Sequence, residues 1–186
     1  MRKSTVILAM LLALMAGAAQ AQTEIGFNGV GGYVGFVMPE DPINSTLGFG
    51  ARADLGTIIN PNIHLAGDVM FWSKGEDEGD YEWSWSQFYI SALALYFLGD
   101  PNADMKPYVG GGLGLVFGSW ESKYTGQYSG YGFGSMDGSD NELCIHLLAG
   151  IQKAIGNNLT GFAEAAYILG GFDTLMIRAG AVWGLN

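Results

Sequence analysis

The chain has 186 residues, enough for one domain, with a formal net charge of −10, 30 glycines and 24 aromatic residues (5 Trp, 9 Tyr and 10 Phe). Its acidity excludes a nucleic-acid partner, because no basic face exists to neutralise phosphates. The only cysteine, Cys144, excludes an internal disulfide, so an exported form of this chain must obtain its stability elsewhere.

The first element is a targeting segment. Residues 1–3 have a basic character, residues 6–16 are apolar, and Ala19-Gln20-Ala21 has the small-x-small pattern of a cleavage site. We predict a cleaved signal peptide over residues 1–21 and one barrel domain over residues 22–186. Cleavage removes two cations, Arg2 and Lys3, and changes the formal charge from −10 to −12. The apolar stretch is short for a membrane-spanning helix and lacks stop-transfer flanks.

Alternating faces define the strands that follow. In residues 46–56, Leu47, Phe49 and Ala51 share one face, whereas Arg52 and Asp54 lie on the other among glycines. Similar patterns predict eight strands, most of them near the length of a tilted strand that crosses a bilayer. They are residues 27–38, 46–56, 63–73, 83–98, 107–118, 142–155, 159–170 and 174–185. The fourth is apolar on both faces, so its orientation is left unassigned.

The connections between the predicted strands alternate in length. Residues 57–62, 99–106 and 156–158 are turns, whereas residues 39–45, 74–82 and 119–141 form longer loops and residues 171–173 a tight one. We therefore predict an all-β fold, an eight-stranded antiparallel up-and-down transmembrane β-barrel with apolar side chains towards lipid. The alternative is a soluble lipocalin-like barrel with its apolar faces inward. The sparse charges beside glycine are unlike a solvated surface and disfavour it.

Three stretches carry a family resemblance: L-A-L-Y-F-L-G-D at residues 93–100, K-P-Y-V-G-G-G-L-G at 106–114, and residues 149–167. The chain resembles the small OmpA/OmpW-like, "porin family" outer-membrane barrels over essentially its whole mature length. The resemblance implies a place in the outer membrane of a Gram-negative-type bacterium, with outer-membrane lipids and the assembly machinery as partners. One departure is the C-terminal Trp183-Gly-Leu-Asn, where such barrels usually end in an aromatic residue.

Charged residues on the lumen faces are the first candidate site. Glu164 and Arg178 are roughly equidistant from the turn at Gly171, which makes them cross-strand neighbours. Arg52 and Asp68 are placed in the same way about residue 60. The predicted lumen network therefore comprises Arg52, Asp54, His64, Asp68, Glu164 and Arg178. An eight-stranded barrel is only just wide enough for its own side chains, so these ion pairs would plug it or, alternatively, act as a gate.

The outer loops are the second candidate site. Residues 74–82 are acidic, and residues 120–136 are rich in Tyr, Gly and Ser, a composition suited to contacts with extracellular ligands. The candidate contact residues are Glu76, Asp77, Glu78, Asp80, Trp120, Tyr124, Tyr128 and Tyr131. The acidic spacing matches no calcium loop, and we predict no metal site.

No catalytic constellation is predicted. Cys144 and His146 share a face near the outer rim of the sixth strand, with Ser139 and Glu142 nearby, but two residues on one strand are weak evidence for a nucleophile and its base. The glycine runs follow no strand–turn–helix pattern for a dinucleotide, so no cofactor is predicted. The predicted function is a structural role or passive permeation of small solutes. The alternative is an adhesion or ligand-binding barrel that acts through its outer loops.

Overall fold

The computed structural model describes residues 24–59, 61–100, 103–126 and 135–185, so the predicted signal peptide lies outside the described residues. Eight antiparallel strands pair in sequence order and close into a barrel through β1 and β8. The strands are β1 Glu24–Pro39, β2 Thr46–Thr57, β3 Ile63–Glu78, β4 Tyr81–Phe97, β5 Met105–Tyr124, β6 Met136–Ala154, β7 Leu159–Leu169 and β8 Thr174–Gly184. The predicted fold class is confirmed. Within the described ranges, no helix is both long and apolar enough to span a membrane.

The barrel is apolar outside and polar at its centre. Leu47 and Phe49 on β2 are 73% and 62% exposed, whereas Arg52 on the same strand is only 4% exposed. Because side chains alternate along a strand, one set must face outward and the other must fill the lumen. Apolar side chains outside a barrel are suited to lipid, and a soluble lipocalin-like barrel requires the reverse arrangement.

The structure shows which face of the fourth strand points into the lumen, an orientation that the sequence left unassigned. Tyr89, Ser91 and Leu93 are buried in the lumen, whereas Phe88 and Ile90 face outward. The lumen face is apolar here because Leu93 and Leu95 join a buried cluster with Tyr108 of β5. An apolar lumen face and an apolar outer face together remove the contrast on which the alternation argument depends.

Two predicted outer loops are largely strand, so the prediction of loops over residues 74–82 and 119–141 was wrong for most of their described residues. Strands β3 and β4 stay paired up to Glu78 and Tyr81, and Gly79, with φ of 63°, helps to form the two-residue turn. Strands β5 and β6 stay paired up to Ser122 and Met136. We call residues 74–78, 81–86, 119–124 and 136–142 the outer sheet, because β2 and β7 do not extend beside them.

Apolar side chains fill the lumen on both sides of its charged centre. The cluster at the outer end includes Val37, Trp72, Ile168 and Met176, and it also holds Ile43 from the loop that joins β1 and β2. The cluster at the other end consists of Ala66, Leu93, Leu95, Tyr108, Leu148 and Ala166. The charged side chains therefore lie between two apolar layers, a setting in which an unpaired charge is costly.

Closure between β1 and β8 depends on a glycine with no room for a side chain. A Cβ added to Gly31 would lie 1.8 Å from the backbone oxygen of Ala181, whereas one added to the neighbouring Gly32 would meet nothing nearer than 3.5 Å. We expect Gly31→Ala to prevent closure and Gly32→Ala to be tolerated. Heat modifiability on a denaturing gel measures this, since only a closed barrel migrates as a distinct band before boiling. A shifted band for Gly31→Ala would contradict the prediction.

Candidate functional site

Two ion pairs face each other across the lumen. The strand register places Arg52 of β2 opposite Asp68 of β3, and Glu164 of β7 opposite Arg178 of β8. All four are buried, with exposures of 4% for Arg52, 3% for Asp68, 4% for Glu164 and 1% for Arg178. Strand alternation and tight turns bring each pair together, and closure of the barrel brings one pair to the other.

The two pairs form one connected network. The Nη1 and Nη2 atoms of Arg52 donate to both carboxylate oxygens of Glu164 at 2.9 and 2.8 Å, a bidentate contact across the lumen. Its Nε donates to Asp68 at 3.1 Å. Arg178 donates from Nε to Glu164 and from Nη1 to Asp68, the latter at 2.9 Å. Each arginine thus contacts both carboxylates, and the formal charge of the network is zero.

Aromatic side chains that sequence reasoning missed complete the network. The hydroxyl of Tyr33 donates to Asp68 at 2.7 Å and accepts from Arg178 at 2.7 Å. The hydroxyl of Tyr108 donates to Glu164 at 2.5 Å. The guanidinium of Arg178 lies 4.5 Å from the ring centre of Tyr33, and that of Arg52 lies 4.6 Å from the ring centre of Phe162. These contacts stabilise charges that the lumen withdraws from water, and among the described residues only Nη2 of Arg178 in this network has no hydrogen-bond partner.

The lumen glycines make room for Tyr33. A Cβ added to Gly50 would lie 2.3 Å from the ring of Tyr33, and one added to Gly180 would lie 2.5 Å from its Cβ. The alternation of residues 46–56 places Gly50 on the same face as Arg52, but the sequence does not indicate what fills the space beside it. The signal was present in β1, where Tyr33 is a large side chain on the lumen face between Gly31 and Gly35.

Asp54 and His64 form a separate pair at the end of the barrel that carries the short turns. Their Oδ1 and Nδ1 atoms are 3.8 Å apart, and both side chains are about one-third exposed. Asp54 also accepts a 2.9 Å hydrogen bond from the backbone of Gly56. Between this pair and the network lies a cavity of about 310 Å³, whose lining includes Arg52 and Phe162. The six residues predicted as one network are thus a network of four and a peripheral pair.

Cys144 and His146 are buried in the lumen rather than near an exposed rim. The Nε2 atom of His146 is 2.8 Å from Oγ of Ser91 and 3.5 Å from Sγ of Cys144. Its Nδ1 has no hydrogen-bond partner among the described residues, so no acid there orients the ring as a catalytic base requires. Glu142 instead accepts a hydrogen bond from the backbone of Gly171 at 2.9 Å.

Burial of Cys144 gives a direct test of lumen packing. The residue is fully buried in the outer-end cluster, where a water-soluble reagent cannot reach it. We expect a maleimide to leave Cys144 unmodified in the folded barrel and to modify it completely after boiling. Mass spectrometry of the two samples measures the difference. Rapid labelling of the folded protein would show that water reaches the outer half of the lumen.

The predicted loop contacts are distributed over the outer sheet. Glu76 accepts a 2.6 Å hydrogen bond from Asn44 of the β1–β2 loop. Trp120 lies opposite Trp85, and Tyr124 lies opposite Tyr81, with ring centres 5.1 Å apart. The other described members are Asp77 and Glu78 on β3 and Asp80 in the turn, while Tyr128 and Tyr131 lie outside the described residues. In the described part of the chain, no group of three or more His, Cys, Asp or Glu residues is arranged to hold a metal ion.

Comparison with known proteins agrees with this architecture. The family model described as "Outer membrane protein beta-barrel domain" matches residues 6–183. No curated protein sequence matches the chain.

Solved structures with the same fold have distant sequences. Neisserial surface protein A is 18% identical, with a TM-score of 0.61 over 85% of this chain and 97% of that one. Ail, the attachment invasion locus protein of Yersinia pestis, is 16% identical, with a TM-score of 0.55 over 84% and 95% of the two chains. The N-terminal barrel of Pseudomonas aeruginosa OprF is 15% identical, with a TM-score of 0.56 over 86% and 99%. At these identities the likeness shows the fold alone.

Proposed function

Because the chain belongs to the outer membrane protein beta-barrel domain family, we propose that it is a structural barrel whose lumen is closed to solutes. The protein lies in the bacterial outer membrane, as its OmpA-like fold and family indicate. The observation that carries the proposal is the network of Arg52, Asp68, Glu164 and Arg178, which joins strands on opposite sides of the lumen. A barrel of eight strands leaves little space beyond such side chains.

A second barrier at the outer end supports closure. Ile43 is buried among the lumen side chains, and its loop is held by Asn44, whose side chain donates to Glu76. The backbone of Glu40 donates to the backbone oxygen of Asp173 at 2.8 Å, which ties this loop to the connection between β7 and β8. A solute from outside would meet an apolar constriction before reaching the charged network.

Passive permeation is the competing interpretation, and planar-bilayer recordings distinguish the two. We expect the purified, heat-modifiable protein to give no resolved conductance steps, because the ion network and the outer apolar cluster fill the lumen beyond the cavity lined by Arg52 and Phe162. An empty-detergent control and an authentic porin in the same bilayer establish the baseline and the sensitivity. Reproducible conductance steps from the wild-type protein would overturn closure and favour permeation.

Binding through the outer sheet is a second candidate function, favoured by the projection of β3 to β6 past their neighbours. Ail, a structural neighbour, is an attachment invasion locus protein and has been solved with a heparin analogue, sucrose octasulfate. That polyanion is a poor guide to this chain, whose outer sheet is strongly acidic. The fold that this chain shares with Ail therefore does not indicate what this chain binds.

Removal of the outer sheet tests the second candidate. Ser73 pairs with Ser86, and Ser119 pairs with Ser139. In the variant, an Asn-Gly turn replaces the residues between Ser73 and Ser86, and a second one replaces those between Ser119 and Ser139, which leaves two short hairpins. If the sheet mediates adhesion, cells that display this variant should lose attachment to host-cell or matrix surfaces while the barrel remains heat-modifiable. Unchanged attachment would refute this candidate without affecting the proposal of a closed barrel.

A further inference from the structure

The outer sheet carries a row of aromatic side chains on one face. Tyr81, Trp83 and Trp85 alternate along β4 and continue the lumen-facing series of that strand. The register places Trp120 opposite Trp85 and Tyr124 opposite Tyr81, on the same side of the sheet. We call these five residues the aromatic face.

The rings of the aromatic face are ordered by contacts with one another. Trp83 and Trp85 stack with centroids 6.0 Å apart and planes 9° from parallel. Tyr81 and Tyr124 meet edge to face at 5.1 Å. Trp120 lies against Gly138, where an added Cβ would come within 2.6 Å of the indole nitrogen. Because Gly138 has no side chain, the indole of Trp120 can lie flat against β6. Together with the ring contacts, this packing gives an ordered aromatic surface.

Neither core packing nor membrane anchoring explains this surface. Only Trp85 of the five packs against the buried lumen cluster, and Tyr81 and Trp120 remain 47% and 37% exposed. An interfacial aromatic girdle belongs on the outward face of a barrel, where Phe88 and Phe117 contact each other with centroids 6.2 Å apart. The aromatic face lies on the opposite side of the same strands, beyond the lumen mouth. It is an ordered and partly exposed surface.

The charge of the outer sheet defines the kind of partner that fits. Nine carboxylates and two lysines belong to it and its β3–β4 turn: Glu76, Asp77, Glu78, Asp80, Glu82, Glu121, Asp137, Asp140 and Glu142, with Lys74 and Lys123. Alternation places Glu76, opposite Trp83, and Asp140, two residues from the partner of Trp120, on the same side of the sheet as the aromatic face, whereas Asp77, Glu82, Glu121 and Lys123 lie on the other side. Such a surface repels polyanions and attracts cations.

We propose that the aromatic face binds an extended, arginine- or lysine-rich segment of another polypeptide. Its cationic side chains lie on the indole rings of Trp83 and Trp120, and the carboxylates on the same side of the sheet, among them Glu76 and Asp140, neutralise them. Arginine fits better than lysine, because a planar guanidinium stacks on indole and forms bidentate contacts with carboxylates. This inference rests on the proposed binding role of the outer sheet and names the class of its partner.

Peptide binding to the full-length protein in detergent tests the inference. The probes are fluorescein-labelled deca-arginine and deca-lysine, with labelled heparin as the polyanion, and anisotropy is the readout at physiological salt. We expect saturable binding of both peptides, tighter for deca-arginine, and no binding of heparin. The double variant Trp83→Ala/Trp120→Ala should weaken deca-arginine binding about tenfold. Trp120→Phe should retain most of the affinity.

Matched controls separate the aromatic face from general electrostatic attraction. Trp183→Ala removes an exposed indole at the other end of the barrel and should leave the affinity unchanged. Glu76→Gln/Asp140→Asn should weaken binding and reduce its dependence on salt, whereas Glu82→Gln/Glu121→Gln, on the other side of the sheet, should have a smaller effect. Heat modifiability shows that each variant retains its fold.

Two results would overturn the inference: wild-type affinity in the Trp83→Ala/Trp120→Ala variant, or preference for heparin over deca-arginine. If either result were found and the variant with two shortened hairpins also lost attachment, the outer sheet would still bind a partner, but that partner would not be a cationic segment. Unchanged attachment in that variant would instead discard the binding role itself. The closed-lumen proposal depends on conductance and is affected by neither assay.

Discussion

Glu164→Gln is expected to lower the free energy of unfolding of the barrel by about 3–5 kcal/mol, the range for breaking a buried ion pair. The Glu164 carboxylate receives hydrogen bonds from Arg52, Arg178 and Tyr108. The substitution preserves side-chain shape but leaves two buried guanidinium groups with one carboxylate, Asp68. An amide also offers fewer acceptor sites to these donors.

Urea titration of the protein in phospholipid vesicles, followed by the loss of the heat-modifiable band, measures this effect. Glu121→Gln is the matched control, because it makes the same chemical change on the exposed outer sheet and should alter stability by less than about 0.5 kcal/mol. Equal stability of Glu164→Gln and the wild type would mean that the network contributes nothing to the folded barrel.

A charge-balanced variant separates the effect of pairing from that of packing. Arg52→Gln/Glu164→Gln removes one charge of each sign and leaves the 2.9 Å pair between Asp68 and Arg178. We expect it to be more stable than Glu164→Gln alone, because the excess buried positive charge is gone. The same urea titration measures the difference, and a further loss of stability in the double variant would contradict the argument.

The pairs within the network could be predicted from sequence, but the connection between them could not. Alternation and tight turns are local, so they place Arg52 beside Asp68 and Glu164 beside Arg178. The contact of Arg52 with Glu164 joins residues 112 positions apart across the lumen and depends on the closed shape. The role of Tyr33 depends on the same closure, because Gly50 and Gly180 make room for it from two different strands.

The length of β3 to β6 beyond their neighbours could not be predicted, for a different reason. Residues 74–82 are rich in charge and glycine, a composition typical of a solvated loop. Their strand structure instead depends on pairing with β4, such as Lys74 with Trp85 and Glu76 with Trp83. Cross-strand pairs of this kind stabilise a sheet regardless of the local composition of one strand. The acidic residues were therefore recognised as an outer surface, but the ordered sheet beneath them was not.

A conducting path is expected only when both proposed barriers are removed. Arg52→Ala/Glu164→Ala extends the 310 Å³ cavity into the charged centre, but Ile43 and Met176 still close the outer end. Ile43→Ala/Met176→Ala opens the outer cluster, but the ion network remains intact below it. Because the barriers lie in series along the lumen, the loss of either one leaves the other to block ions and water.

Planar-bilayer recordings of the two double variants and of the quadruple variant test this series arrangement. We expect no resolved steps from either double variant and clear, repeated steps from the quadruple variant, which should also be the least stable because each core truncation to Ala costs about 2–5 kcal/mol. Its heat-modifiable band must be verified first, so that a conducting defect is not mistaken for an open barrel. Conductance from Arg52→Ala/Glu164→Ala alone would place the whole barrier at the ion network, and conductance from Ile43→Ala/Met176→Ala alone would place it at the outer apolar cluster.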